Sequence, residues 1–337
     1  MVLEIGIDSF AATVKGVSAM DRMGFLLDEI EMADTSGLDV FGIGEHHRGD
    51  YLDSAPAVIL AAAAARTKSI RLTSAVTVLG AADPVRVFQE FATLDLISRG
   101  RAEIVVGRGS SIEAYPLFGL DLNDYDALSE EKLELLLALR DETNVTWSGR
   151  FRAPLDGQGV YPRPAQPKMP IWLGVGGTPQ SFARAGILGL PLMVAIIGGE
   201  FRRFRSLVNL YREAGARAGH APEALRVGIH ALGFVAETDR EAADRFFPGW
   251  QAMFTKIGLE RGWAPSTRAQ FDNLVRPGGA FLVGDPETVA AKIRQTSEDL
   301  GGIDRLTFQM SSAASHQPAM LRSIEMLGRE VKPRLSA

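Results

Sequence analysis

Short apolar runs alternate along the chain with longer stretches whose apolar residues recur at helical spacing. The runs Leu3–Ile7, Asp39–Gly44, Ile70–Leu79, Arg101–Gly107, Pro170–Gly174, Leu192–Ile197, Leu225–Val235 and Arg305–Met310 read as strands. They are apolar without strict alternation, which is the pattern of strands covered on both faces. The first intervening helix is predicted over Arg22–Ser36, with Phe25, Leu26, Ile30 and Ala33 on one side and Gly37 closing it. Ser54-Ala55-Pro56 starts a second, whose body Ala57–Ala65 is small and apolar. Asp83-Pro84 caps a third that runs to Ile97, and a fourth is delayed until Ser129–Leu139. Thr178-Pro179 and Asp285-Pro286 open two further helices. Others are predicted over 201–218, 240–257 and 318–332.

Eight strands alternating with helices imply a parallel sheet, and the number eight favours closure into a (β/α)8 barrel. An open, doubly wound sheet is the alternative. Two stretches break the alternation. Thr146–Pro170, rich in Pro and Gly, reads as a surface excursion. Arg261–Gly284 reads as a mobile insertion between strands seven and eight, placed where barrel enzymes carry lids. The 337 residues are expected to form a single barrel domain.

Composition narrows the chemistry. A net charge of −5 gives no reason to expect nucleic acid or an anionic membrane as partner. There is no cysteine, so disulfides, thiolate metal sites and cysteine nucleophiles are excluded. No apolar segment reaches the roughly 18 residues of a membrane span, and the amino terminus has no signal-peptide pattern. A cytoplasmic protein is the expectation.

In a barrel, the loops after each strand meet at one mouth. Strand two ends in Glu45-His46-His47, strand four in Gly107-Arg108-Gly109-Ser110, and strand five in Gly174-Val175-Gly176-Gly177-Thr178-Pro179. Glycines at Gly176 and Gly177 permit close backbone approach, and Thr178 as N-cap before Pro179 leaves free amides facing outward. An anion, above all a phosphate, suits that end, with Arg108 as countercharge. A tight turn shaped only for packing is the other reading. His46 can serve as acid or base near neutral pH, or as a structural histidine. Adjacent histidines point apart in extended backbone and the spacing is not that of a zinc helix, so no metal is expected. Glu45 is placed to orient a histidine. Arg48 and Asp50 read as a solvated pair, His230 as a satisfied core residue, and His316 as either a ligand contact or a helix cap.

These motifs, with Ala82-Asp83-Pro84-Val85-Arg86, Ser98-Arg99-Gly100-Arg101, Pro170-Ile171-Trp172 and Gly284-Asp285-Pro286-Glu287, resemble the bacterial luciferase-like flavin-dependent monooxygenases over essentially the whole chain. The resemblance implies a luciferase-like TIM barrel. It also implies reduced FMN, supplied by a separate flavin reductase, and molecular oxygen, with a peroxide at flavin C4a oxygenating a small organic substrate. By the same resemblance His46 is the catalytic imidazole, with Glu45 and His47 as its supports. Arg108, Gly177 and Thr178 hold the FMN phosphate, Gly107, Gly109 and Gly176 complete the cofactor loops, and Ala75-Val76 is a non-prolyl cis peptide beneath the flavin. The Ala57–Ala65 helix falls at the family's dimer interface. An F420- or NAD(P)H-linked hydride transfer on the same scaffold, and a non-catalytic flavin-binding protein, are the alternatives. Gly176-Gly177 departs from the acidic residue and serine of the luciferase itself, and no aldehyde-selecting residues are recognisable.

Overall fold

The computed structural model describes residues 3–109, 111–260 and 262–335. Ser110 and Arg261, named above, lie outside them. In chain order the first part comprises Glu4–Ser9 (β1), Ala19–Thr35 (α1), Val40–Ile43 (β2), Pro56–Arg66 (α2), Arg71–Ser74 (β3), Thr77–Val78 (β4), Pro84–Ser98 (α3) and Ile104–Gly107 (β5). Ala114–Leu117 (α4), Tyr125–Asp141 (α5), Asn144–Trp147 (β6), Leu155–Gly159 (β7), Ile171–Val175 (β8), Pro179–Ile187 (α6), Leu192–Ile196 (β9) and Arg205–Arg217 (α7) follow. Val227–Val235 (β10), Asp239–Glu260 (α8), Arg268–Val275 (α9), Leu282–Gly284 (β11), Pro286–Leu300 (α10), Arg305–Gln309 (β12) and Gln317–Met326 (α11) complete it.

The parallel segments run in the order β3-β2-β1-β12-β10-β9-β8-β5-β4. β3 and β4 are successive pieces of the third predicted strand, interrupted at Ala75-Val76, whose peptide bond is cis. The ring closes there. Leu72 N–H donates to Arg101 O at 2.9 Å and Glu103 N–H to Leu72 O at 3.0 Å. Past that point the Ser74 hydroxyl takes over the ladder, accepting from Val105 N at 3.1 Å and donating to Val105 O at 2.9 Å. A side chain thus satisfies backbone groups that the interruption leaves without a strand partner. The result is the predicted (β/α)8 barrel, not an open sheet.

The barrel is packed. Trp172, Val105, Met193 and Val76 form a cluster inside it. Arg305, almost wholly buried, lies 4.2 Å from the Trp172 ring centroid and bonds Glu103 at 2.7 Å and Glu4 at 2.7 Å. Burial of a guanidinium is tolerable only with such partners.

Helix boundaries follow capping more than apolar period. α1 begins before Arg22 because Ser18 accepts from Asp21 N at 3.1 Å, although its first residues are exposed. α5 begins at Tyr125, ahead of the predicted Ser129. The excursion over 146–170 contains the antiparallel partner of β6, so it is in part a hairpin. The insertion is likewise structured: α9 carries a capping box of Thr267 and Gln270, and β11 adds to β10 in parallel. Lys292 of α10 holds it down, donating to Phe281 O at 3.2 Å, to Val283 O at 2.9 Å and to Val275 O. α2 is buried on one side only, leaving Val58, Ala62 and Ala65 exposed.

Candidate active site

The loops after β2, β5 and β8 meet at one end of the barrel. The β2 loop carries the two histidines in opposite directions, as extended backbone requires. His46 Nδ1 lies 3.1 Å from Asp53 Oδ2, and its ring stacks on Tyr51 at 4.3 Å and meets Phe10 at 4.8 Å. Asp53 is wholly buried, and burial pushes its carboxyl pKa up against the opposing pull of His46. An ionised Asp53 can only accept, so it selects the tautomer with the proton on Nδ1, in which Nε2 keeps a lone pair.

Glu45 and His47 do not support His46. They pair with each other, Nε2 to Oε1 at 3.1 Å, and Glu45 Oε2 accepts from Val78 N at 2.9 Å. Glu45 therefore ties the histidine loop to the strand after the cis peptide. The support of His46 is Asp53, seven residues on and immediately before the helix start Ser54-Ala55-Pro56. The sequence offered a signal in that acid next to a helix start, but no local spacing shows a loop folding back.

At the ends of β5 and β8 lies a cleft of about 610 Å³, lined by Leu79, Gly107, Arg108, Gly174, Thr178 and Arg184 among others. A Cβ on Gly107 or Gly174 would stand 2.7 or 2.8 Å from a Val76 methyl, so both glycines are needed to seat Val76. Gly176 and Gly177 face open space. Thr178 takes the N-cap backbone position with Pro179 next, as predicted, yet its side chain makes no capping bond, which leaves the hydroxyl available; Pro179 has no N–H and Ser181 N donates to Thr178 O at 3.0 Å, so Gln180 carries the free amide of the first turn. Tyr125 pins the β5 loop: its hydroxyl donates to Arg108 O and Gly109 O, both at 3.1 Å.

Gln180, Ser181 and Arg184 of α6 and Asp126, Ser129 and Glu130 of α5 also line the cleft. None was predicted. Ser181 and Arg184 share a helix face at i, i+3, which the sequence displays; the approach of α5 to that face it does not.

The other singled-out residues have separate duties. His230 Nδ1 lies 2.7 Å from Asp8 Oδ2, which also accepts from Thr307 Oγ1, while Nε2 is buried with no partner among the described residues. It is a half-satisfied interior residue, not a fully satisfied one. Phe10 separates it from His46, its ring 5.6 Å from that of His230. His316 Nδ1 accepts from Ala319 N at 3.1 Å and so caps α11. Arg48 does pair with Asp50, but at 3.8 Å, and is closer to Glu113 at 3.0 Å, while Asp50 also meets Lys256 of α8.

The model of luciferase-like monooxygenases matches residues 5–303. The chain belongs to that family. Among solved structures, monooxygenase RslO1 from Streptomyces bottropensis is 25 % identical over 98 % of this chain and 99 % of its own, with a TM-score of 0.86. The oxygenating constituent of 3,6-diketocamphane monooxygenase from Pseudomonas putida, solved with FMN, is 22 % identical over 99 % and 98 %, with a TM-score of 0.82. An F420-dependent secondary alcohol dehydrogenase shares the fold at 20 % identity over 99 % of each chain and a TM-score of 0.77. Sequence relatives align over shares of their own length that run from 45 %, for an uncharacterized protein of Mycobacterium bovis, through 55 %, for one of Sinorhizobium fredii, to 99 %, for the Pseudomonas enzyme. No described helix is long and apolar enough to cross a membrane.

Proposed function

We propose that the protein is a flavin-dependent monooxygenase that takes reduced FMN from a separate flavin reductase and oxygenates a small organic substrate. The observation that carries this reading is the cleft itself. Its donor set suits a flavin phosphate: Arg108, the unengaged Thr178 hydroxyl and the free Gln180 amide of α6 stand at its rim, with Gly176 and Gly177 presenting bare backbone. Its wall at Gly107 and Gly174 is smooth apolar surface backed by Val76, suited to a planar ring. The half-exposed Arg108 fits a cofactor that exchanges with solution.

When bound, reduced FMN supplies electrons to molecular oxygen, of which one atom goes to the substrate. The chain supplies the rest. Arg108 and α6 fix the phosphate, Ala75 and Val76 support the ring, and Glu45 keeps the histidine loop registered to Val78. His46, held through Nδ1 by Asp53, presents Nε2 to accept a proton from the substrate.

Titration of the protein with FMN and with F420, followed by turnover under ¹⁸O₂ with reduced FMN, tests the reading. FMN binding and label in the product are expected. Binding of F420 without FMN would reverse it in favour of hydride transfer, the reading to which the F420-dependent neighbour's shared fold lends support. The exposed apolar residues Val58, Leu96 and Ile97 on the adjoining helices α2 and α3 support a homodimer through that face. Sedimentation equilibrium showing only monomer at micromolar concentration would remove the dimer.

A further inference from the structure

We infer that Arg184 is a second phosphate-binding residue and that Glu130 and Asp126 are stand-ins for the phosphate, holding the two arginines until a phosphomonoester dianion takes their place. The inference rests on the flavin reading above. It comes from four side chains that meet in the cleft: Arg184 Nη1 pairs with Glu130 Oε1, and Arg108 Nη1 with Asp126 Oδ1. The two carboxylates stand four residues apart on α5, hence on one face and about 6 Å apart along the axis. Each holds one guanidinium, one from the end of β5 and one from the second turn of α6, so both cations reach the same end of the cleft.

The charges balance as they stand: two guanidiniums against two carboxylates. That arrangement keeps the arginines ordered and the cleft from retaining chance anions. It is also easily given up. The side chains are exposed by 31 and 54 % in the Arg184–Glu130 pair and by 40 and 74 % in the Arg108–Asp126 pair, and exposed ion pairs contribute little to stability. A phosphate dianion offers each guanidinium a forked, charge-assisted contact and can also accept from the Thr178 and Ser181 hydroxyls and the Gln180 amide, none of which the α5 carboxylates engage. Two cations lining one cleft favour a terminal dianion over the single charge of a phosphodiester, and over the uncharged end of riboflavin. The substrate end of the cleft plays no part in this choice.

The test is equilibrium binding of oxidised FMN and of riboflavin, by flavin fluorescence, to the full chain and to Arg184→Gln, Arg184→Lys and Glu130→Gln. The wild type should bind FMN at least about 30-fold more tightly than riboflavin, with the steeper salt dependence for FMN. Arg184→Gln should lose about 10-fold or more in FMN affinity with riboflavin affinity unchanged, which also shows that the variant is folded. Arg184→Lys should recover part of the loss. Glu130→Gln should bind FMN more tightly than the wild type, and should do nothing when combined with Arg184→Gln. Equal losses for both flavins, or none for either, would overturn the role of Arg184 while leaving the flavin reading intact. Weaker FMN binding in Glu130→Gln would overturn the stand-in role. A wild type that binds no FMN would overturn the functional reading and this inference together.

Discussion

The Asp53 carboxylate meets His46 Nδ1 at 3.1 Å, and the aspartate is wholly buried while the imidazole stacks on Tyr51 at its other side. One contact sets both the tautomer and the orientation of the ring. Asp53→Asn keeps the shape but can donate as well as accept, so Nδ1 need no longer carry the proton. Turnover should fall by on the order of 10²-fold, within the range that general acid–base groups contribute, and His46→Asn should fall at least as far. FMN affinity should stay within about two-fold, since neither residue lines the cleft. Steady-state turnover with reduced FMN, alongside flavin titration, checks this. Full activity in Asp53→Asn would remove the assigned role of the pair.

Lys292 makes a prediction about pH. Burial holds its pKa down to about 8, against the pull of Asp239. Between about 8 and the ordinary value of 10.5 the unfolded chain therefore binds a proton that the folded chain does not. Stability contributed by this group rises with pH across that window and is least below it. Lys292→Met abolishes the term, so the difference in urea midpoint, wild type minus variant, should grow from pH 8 to pH 10.5. A difference that is flat or falls over the window would contradict the assignment. The variant also leaves the carbonyls of Val275, Phe281 and Val283 without their donor, which should raise hydrogen exchange in α9 and β11 first.

Gly249 lies inside α8, next to Pro248, where a change to alanine would ordinarily favour the helix by about 0.5–1 kcal/mol. Here the sign reverses. A Cβ at Gly249 would stand 1.7 Å from the carbonyl oxygen of Ser312, backbone that cannot swing aside. α8 packs there on the short turn Ser311–Ala313 after β12. Gly249→Ala should lower stability by about 1–3 kcal/mol, as overpacking does. Thermal unfolding measures it, and a melting temperature at or above that of the wild type would show that the helix rides clear of the turn.

Much of this molecule is legible along the chain. The alternation of both-side-buried runs with amphipathic segments specifies eight strands and the helices between them, because each must bury its apolar surface against the next. Asp83, Asp285 and Pro179 mark helix starts that the structure keeps, since capping is a contact within one turn. His46, Arg108 and Thr178 stand out for the same reason: they are polar residues at the ends of apolar strands. Tertiary structure decided what those residues touch. Asp53 reaches His46 only because a loop folds back, and Glu45 serves His47 and Val78 instead. Arg184 and Glu130, more than fifty residues apart, meet only because α5 and α6 flank the same cleft of a closed barrel. The order in which strands close, the hydroxyl of Ser74 that completes the ring, and the cleft between two helices depend on distances that no local spacing encodes. The sequence by itself determined which polar groups stand at the barrel mouth; packing decided their partners.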